Sequence, residues 1–90
     1  MATVIIPAAL RKYTNQNDRL VIYAHNVSGV IAELASCYPG IRPHLISVDG
    51  KTPAFISIFV DNHDVRYLQK NETLVNDGSV VCIVPAIAGG

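Results

Sequence analysis

Asp77-Gly78-Ser79-Val80-Val81-Cys82-Ile83-Val84-Pro85-Ala86-Ile87-Ala88-Gly89-Gly90 closes the chain, and the rest of the architecture follows from where this segment must sit. Asp77-Gly78 is a turn signal. Ser79 to Val84 is an apolar, mostly β-branched run, and Pro85 ends it because proline brings no N–H to a ladder. A tail from residue 85 to residue 90 therefore starts where a rigid strand stops. Two readings fit its Gly89-Gly90 ending. One is a frayed, flexible terminus. The other is a thin thread that carries the Gly90 carboxylate into a channel any Cβ would block, since glycine alone lets another surface approach the backbone closely.

Working back from that strand, a one-domain α+β architecture emerges. Thr3 to Ile6 reads as a strand closed by Pro7, and Leu20 to Ala24 as its hairpin partner. Thr14-Asn15-Gln16-Asn17-Asp18 supplies the turn in the polar loop between them. Asn26 is an N-cap for a helix over Val27 to Tyr38. Val27, Val30, Ile31, Leu34 and Tyr38 fall on one stripe at helical spacing, and Pro39-Gly40 stops the helix. Ile41 to Pro53 is an irregular connection with an Asp49-Gly50 turn and room for one short helical turn. Ala54 to Val60 is strongly strand-like, with Ile56, Ile58 and Val60 on one face and Phe55 and Phe59 on the other. Asp61-Asn62-His63-Asp64 turns the chain into a short strand near Val65 to Tyr67. The order ββαβββ predicts a mixed sheet with one main covering helix, residues 1–84, followed by the tail.

Composition narrows the function. Ninety residues make one small domain with little room for a catalytic cleft beside a core. Seven basic residues balance seven acidic ones, so the chain lacks the electrostatic footprint of a nucleic-acid or membrane-surface binder. The start has neither a basic n-region nor a long apolar stretch, and no apolar run approaches the roughly 20 residues that span a bilayer. A cytoplasmic location follows as an expectation, with Cys37 and Cys82 as free thiols that serve as small apolar packing residues. His25, His44 and His63 lack metal-ligand spacing, so no metal is expected. No Cys-x-x-Cys or Gly-rich phosphate loop is present.

The group with a stated chemical logic is the Gly90 carboxylate. It becomes an acyl donor once adenylated, because AMP leaves far better than oxide. The chain has no ATP site of its own, so activation falls to a second protein, and a docking surface is expected. Alternation in the last strand places Val81 and Ile83 on one face and Val80, Cys82 and Val84 on the other. A sheet with one wet face should alternate cleanly, yet both faces are apolar here. Partner binding through Phe59, Val80, Cys82 and Val84, with Ile87 as an anchor in the tail, accounts for the excess. Plain β-propensity on a partly covered face is the alternative.

The segment from Asp77 onward, and Phe59-Val60-Asp61-Asn62-His63-Asp64-Val65-Arg66 with its Asp-Val-Arg hairpin, resemble the ubiquitin-like sulfur carriers of the MoaD/ThiS group. The resemblance covers nearly the whole chain and implies the β-grasp fold, with Val4, Ile6, Val81 and Ile83 facing the helix. It implies a protein co-substrate, not an enzyme. An adenylating enzyme of the ubiquitin-activating type would use ATP on Gly90, with Gly89 threading its channel, and the product would be a thiocarboxylate. No bound cofactor is implied. The Pro-Ala-Ile-Ala-Gly-Gly ending is most similar to the branch that feeds cysteine biosynthesis, whose partner is a pyridoxal-phosphate cysteine synthase. The alternative is a MoaD-like small subunit, whose partner is the molybdopterin synthase large subunit, although Ala86 stands where that branch usually has a second proline. A modifier conjugated to lysines, or a binding module without tail chemistry, are further readings. Since the sequence as written ends at Gly90, no trimming is expected.

Overall fold

The computed structural model describes residues 1–85. Five strands form one sheet in the order β2-β1-β5-β3-β4. They are β1 (Ala2–Ile5), β2 (Arg19–Ile22), β3 (Ile56–Val60), β4 (His63–Asp64) and β5 (Val80–Pro85). Only the β1–β5 pair is parallel, and the other three pairs are antiparallel, so the sheet is mixed. The closing strand of the sequence is the central strand of the sheet. Its burial alternates, with Val81 and Ile83 buried and Val80 and Val84 exposed, because a helix covers only one of its faces. The helix α1 (Val27–Cys37) covers one face, and the arrangement is the β-grasp.

The helix begins where the sequence places it. The Gly29 N–H donates to Asn26 Oδ1 at 2.8 Å, which satisfies one of the orphan donors of the first turn. Val27, Val30, Ile31 and Leu34 are buried on the expected stripe, and Ala35 joins them. From the sheet, Val4, Ile6, Val81 and Ile83 meet the same core, each almost inaccessible to water. Gly78 has φ +85, the left-handed region that glycine enters without steric cost. Its N–H donates to the Met1 carbonyl at 3.0 Å, and the Thr3 N–H donates to the Ser79 carbonyl at 2.9 Å, so the entry to β5 is tied to the start of β1.

Several segments depart from the sequence reading. The short strand expected near Val65 to Tyr67 is a 3-10 turn, and the pairing comes two residues earlier, at Val60↔His63 and Phe59↔Asp64. The cause is the turn: Asp61 (φ 50) and Asn62 (φ 71) form a two-residue left-handed hairpin loop, tighter than the four-residue turn expected. Phe55 lies in a bend before β3 and is exposed, not on the sheet face with Phe59. Residues 8–13, expected as polar loop, form a 3-10 turn that buries Leu10, and Thr14 behind it is buried with its hydroxyl donating to the Asn17 carbonyl at 2.9 Å. The short helical turn allowed for in Ile41 to Pro53 is α2 (Arg42–Leu45), and Ile41 and Leu45 complete the core from below the helix. Cys82 is half-buried, but Cys37 is exposed at the end of α1, its thiol facing Glu33 and not the core; both are free thiols.

Candidate functional site

The backbone register assembles the proposed docking face. Phe59 lies directly opposite Cys82, and Ser57 opposite Val84, across the β3–β5 ladder. Residues directly opposite in a sheet share a face and bring their side chains within reach of one another. Phe59, Val80, Cys82 and Val84 therefore stand together on the face away from α1. Val80 and Val84 are 42% and 40% exposed, while Phe59 and Cys82 are half-buried against each other. Ile87, Gly89 and Gly90 lie outside the described residues.

The face is wider than the sequence reading made it. Ile5 is in register with Cys82, Thr3 with Val80, and Val21 with Thr3. Ile5 is half-buried and Val21 is 60% exposed, so a largely apolar strip, with Thr3 between Val21 and Val80, crosses four strands to Phe59. The signal for this extension was present, since Val4 and Ile6 facing the helix obliges Ile5 to face away. What the sequence withheld was the parallel register of β1 on β5, which no local pattern encodes.

Polar groups frame the strip and fix its geometry. At one end, Asp61 brackets Val80: its N–H donates to the Val80 carbonyl at 2.9 Å, and its Oδ1 accepts from the Val80 N–H at 2.9 Å. This contact positions the start of β5 and is a role the sequence did not reveal. At the β4 edge, Asp64 lies opposite Phe59 and holds Arg66, with the Arg66 Nη2 at 2.7 Å from Asp64 Oδ2 and the Arg66 backbone N–H at 2.9 Å from Oδ1. The Arg66 side-chain hydrogen bonds, followed by its backbone N–H, hold the Asp64 carboxyl below its ordinary value. The same contact raises Arg66. Arg19, opposite Ile5 on β2, marks the other rim.

Other chemistry is sparse. Among the described residues, no three of His, Cys, Asp and Glu gather in a way that could hold a metal ion. His25 and His63 are exposed, and His44 stacks on Tyr13 with ring centroids 4.5 Å apart. No helix is long and apolar enough to cross a membrane among the described residues. What the arrangement offers is an aliphatic platform on rigid strands, with β5 running through its middle and pointing into residues 86–90.

Comparison with known proteins agrees with this geometry. The ThiS family model matches residues 4–90. The chain is 37% identical over 90 residues to a protein named sulfur carrier protein CysO from Mycobacterium tuberculosis, an alignment that covers 98% of this chain and 97% of that one. It is 39% identical over 89 residues to a putative sulfur carrier protein of Archaeoglobus fulgidus, covering 97% and 96%. Among solved structures, the BexX/CysO complex of Amycolatopsis orientalis contains a chain that superposes with a TM-score of 0.92 at 33% identity, with full coverage of both chains.

Proposed function

The chain belongs to the ThiS family, and from that premise we propose that it is a sulfur carrier that presents the Gly90 carboxyl to partner enzymes. The observation that carries the reading is the place of β5. It is the central strand, paired with β1 at Val80 to Cys82 and with β3 from Val81 to Pro85, and it ends five residues before Gly90, so the tail follows directly on a strand paired in the middle of the sheet.

The chemistry divides cleanly between this chain and its partners. A Gly90 carboxylate oxygen attacks the α-phosphorus of ATP on an adenylating enzyme, and pyrophosphate leaves. A hydrosulfide-level nucleophile then attacks the acyl carbon and AMP leaves, which converts the carboxylate to a thiocarboxylate. The thiocarboxylate sulfur is the nucleophile toward the final acceptor, and hydrolysis of the resulting acyl group regenerates the carboxylate. Gly89 and Gly90 supply a backbone without Cβ atoms for a narrow channel. The aliphatic strip from Phe59 to Val84 supplies docking area, with Ile87 as the anchor in the tail. No metal or cofactor resident in this chain is needed.

The likeness to CysO relatives favours an acceptor enzyme of cysteine biosynthesis that uses pyridoxal phosphate, over the large subunit of molybdopterin synthase. A CysO chain 33% identical to this one forms a complex with BexX, which supports a carrier that works by docking to a partner protein. The test is intact mass after incubation with an adenylating enzyme of the family, ATP and sulfide. Exchange of one oxygen for one sulfur, confined to the C-terminal peptide, is the expected result. Adducts on lysine side chains would replace this reading with that of a protein modifier, and an unchanged mass would remove the tail chemistry altogether.

A further inference from the structure

A cleft of about 590 Å³ opens on the other side of the molecule, beside the outer edge of β3. It exists because the strand expected at Val65 to Tyr67 does not form. β4 pairs only with Val60 and Phe59, after which the chain turns away into the 3-10 turn, and the position next to Ile56, Ser57 and Ile58 is left without a strand. Pro53, Ile56, Ile58 and Val65, all largely buried, form its apolar floor.

The backbone on this edge is arranged for pairing. In a two-residue hairpin the residues flanking the loop form the hydrogen-bonded pair, so Val60 directs its N–H and C=O outward toward His63. Alternation by two then directs the N–H and C=O of Ile58, and those of Ile56, to the same edge. The Ile56 N–H is already used, donating to the Pro53 carbonyl at 3.0 Å. The Val65 carbonyl, which would face the Ile58 N–H in a longer β4, accepts instead from the Leu68 N–H at 3.0 Å. The Ile58 N–H and the Ile56 carbonyl are thus a donor and an acceptor two residues apart, aimed at the vacant strand position.

The rim is basic. Lys51, Arg66 and Lys70 stand around the cleft against one carboxylate, Glu72. Arg66 is engaged with Asp64, whereas neither lysine takes part in an ion pair among the described residues. Lys70 also sits at φ 53, a backbone region uncommon for any residue but glycine.

We propose that this cleft is a second docking site, which takes an extended segment of a partner protein as a short added strand along Ile56–Ile58. The segment carries an aliphatic side chain for the floor and flanking carboxylates for Lys51 and Lys70. Strand addition of this kind draws affinity from main-chain hydrogen bonds and specificity from alternate side chains. The site is separate from the strip around Val80 and Val84, and it does not depend on the tail chemistry.

The experiment is an amide NMR titration of the full chain with a capped hexapeptide of alternating glutamate and valine, and with a lysine–valine hexapeptide of the same length. The acidic peptide should perturb the amides of Lys51 to Ala54, Ile56 to Ile58 and Val65 to Glu72, and the basic one should not. Lys51→Glu with Lys70→Glu should weaken binding about tenfold or more, with an unchanged fold spectrum. Lys70→Gly removes the charge while relieving the backbone, so it should weaken binding without lowering the melting temperature. No perturbation at about 1 mM peptide, equal binding of the basic peptide, or perturbation centred on Val80 and Val84 would overturn the proposal. So would a variant ending at Pro85 that binds the acidic peptide about tenfold tighter, since the chain's own tail would then be the occupant. Self-association through the same amides, read from a concentration-dependent mass, would give the cleft to a second copy and overturn it as well.

Discussion

Asp64 shows how one residue serves the fold and the edge of the proposed docking strip together. Its carboxylate holds both the side chain and the backbone N–H of Arg66, which fixes the 3-10 turn after β4. Because its folded pKa is lowered, the interaction is fully present above the ordinary carboxylate range and is lost as the pH falls through the lowered folded value. Arg66→Ala should therefore raise the Asp64 titration midpoint toward the ordinary value, read by carboxyl-carbon NMR; an unmoved midpoint would show that Arg66 is not the cause. Asp77 behaves in the same direction, held down by its hydrogen bond to the Met1 ammonium group. At the other terminus, Gly89→Ala or removal of Gly90 is expected to abolish ATP–pyrophosphate exchange by the adenylating enzyme while the circular dichroism spectrum is unchanged. Exchange at the wild-type rate with Gly89→Ala would mean that the channel tolerates a Cβ.

Among the elements, α1 buries a continuous apolar stripe, Val27, Val30, Ile31, Leu34 and Ala35. Leu34 is fully buried in the cluster that holds Val81 and Ile83. Leu34→Ala should cost about 2–5 kcal/mol, from lost transfer free energy and the cavity left behind. For a domain whose total stability is about 5–15 kcal/mol, the shift in denaturation midpoint will be large. A midpoint within error of wild type would mean that Leu34 is not in this core. The helix was readable in advance because its cap, stripe and stop all act within a few residues of one another. The elements that were misread fail for a common reason. Whether residues 65–67 continue a strand depends on how tightly Asp61-Asn62 turns, and whether residues 8–13 are loop or core depends on a floor supplied by distant residues such as Ile41 and Leu45.

For the molecule as a whole, the sheet separates a core face from the face proposed for docking. Fully burying an aliphatic side chain is worth roughly 1.5–3 kcal/mol, so losing one contact in the strip should weaken partner binding about tenfold to a hundredfold. A charge there does worse, since it is desolvated without a counter-ion. Phe59→Asp and Ile87→Asp should each impair binding to the adenylating enzyme and to the sulfur acceptor in titration calorimetry, with the fold intact by circular dichroism. Wild-type affinity of both variants for both enzymes would place recognition elsewhere on the surface. Phe59 is half-buried against Cys82, so Val84→Asp, at an exposed position of the same strip, serves as a second variant in case Phe59→Asp unfolds.

The sequence by itself determined the α+β class, the capped helix and its buried stripe, the division of the last strand into a Val81–Ile83 face and a Val80–Cys82–Val84 face, and the Gly-Gly ending on which the proposed chemistry rests; which face turns inward came from the family resemblance. Each of these is a local pattern, legible because side-chain direction repeats every two residues in a strand and every 3.6 in a helix. Only the tertiary structure decided that β1 lies parallel to β5, which adds Ile5 and Val21 to the strip, and that Asp61 reaches across to Val80. The cleft beside β3 was likewise beyond the sequence, because it is the absence of a strand at one edge. Register and edge vacancy arise when segments far apart in the chain compete for the same backbone hydrogen bonds, and no local pattern records which segment wins.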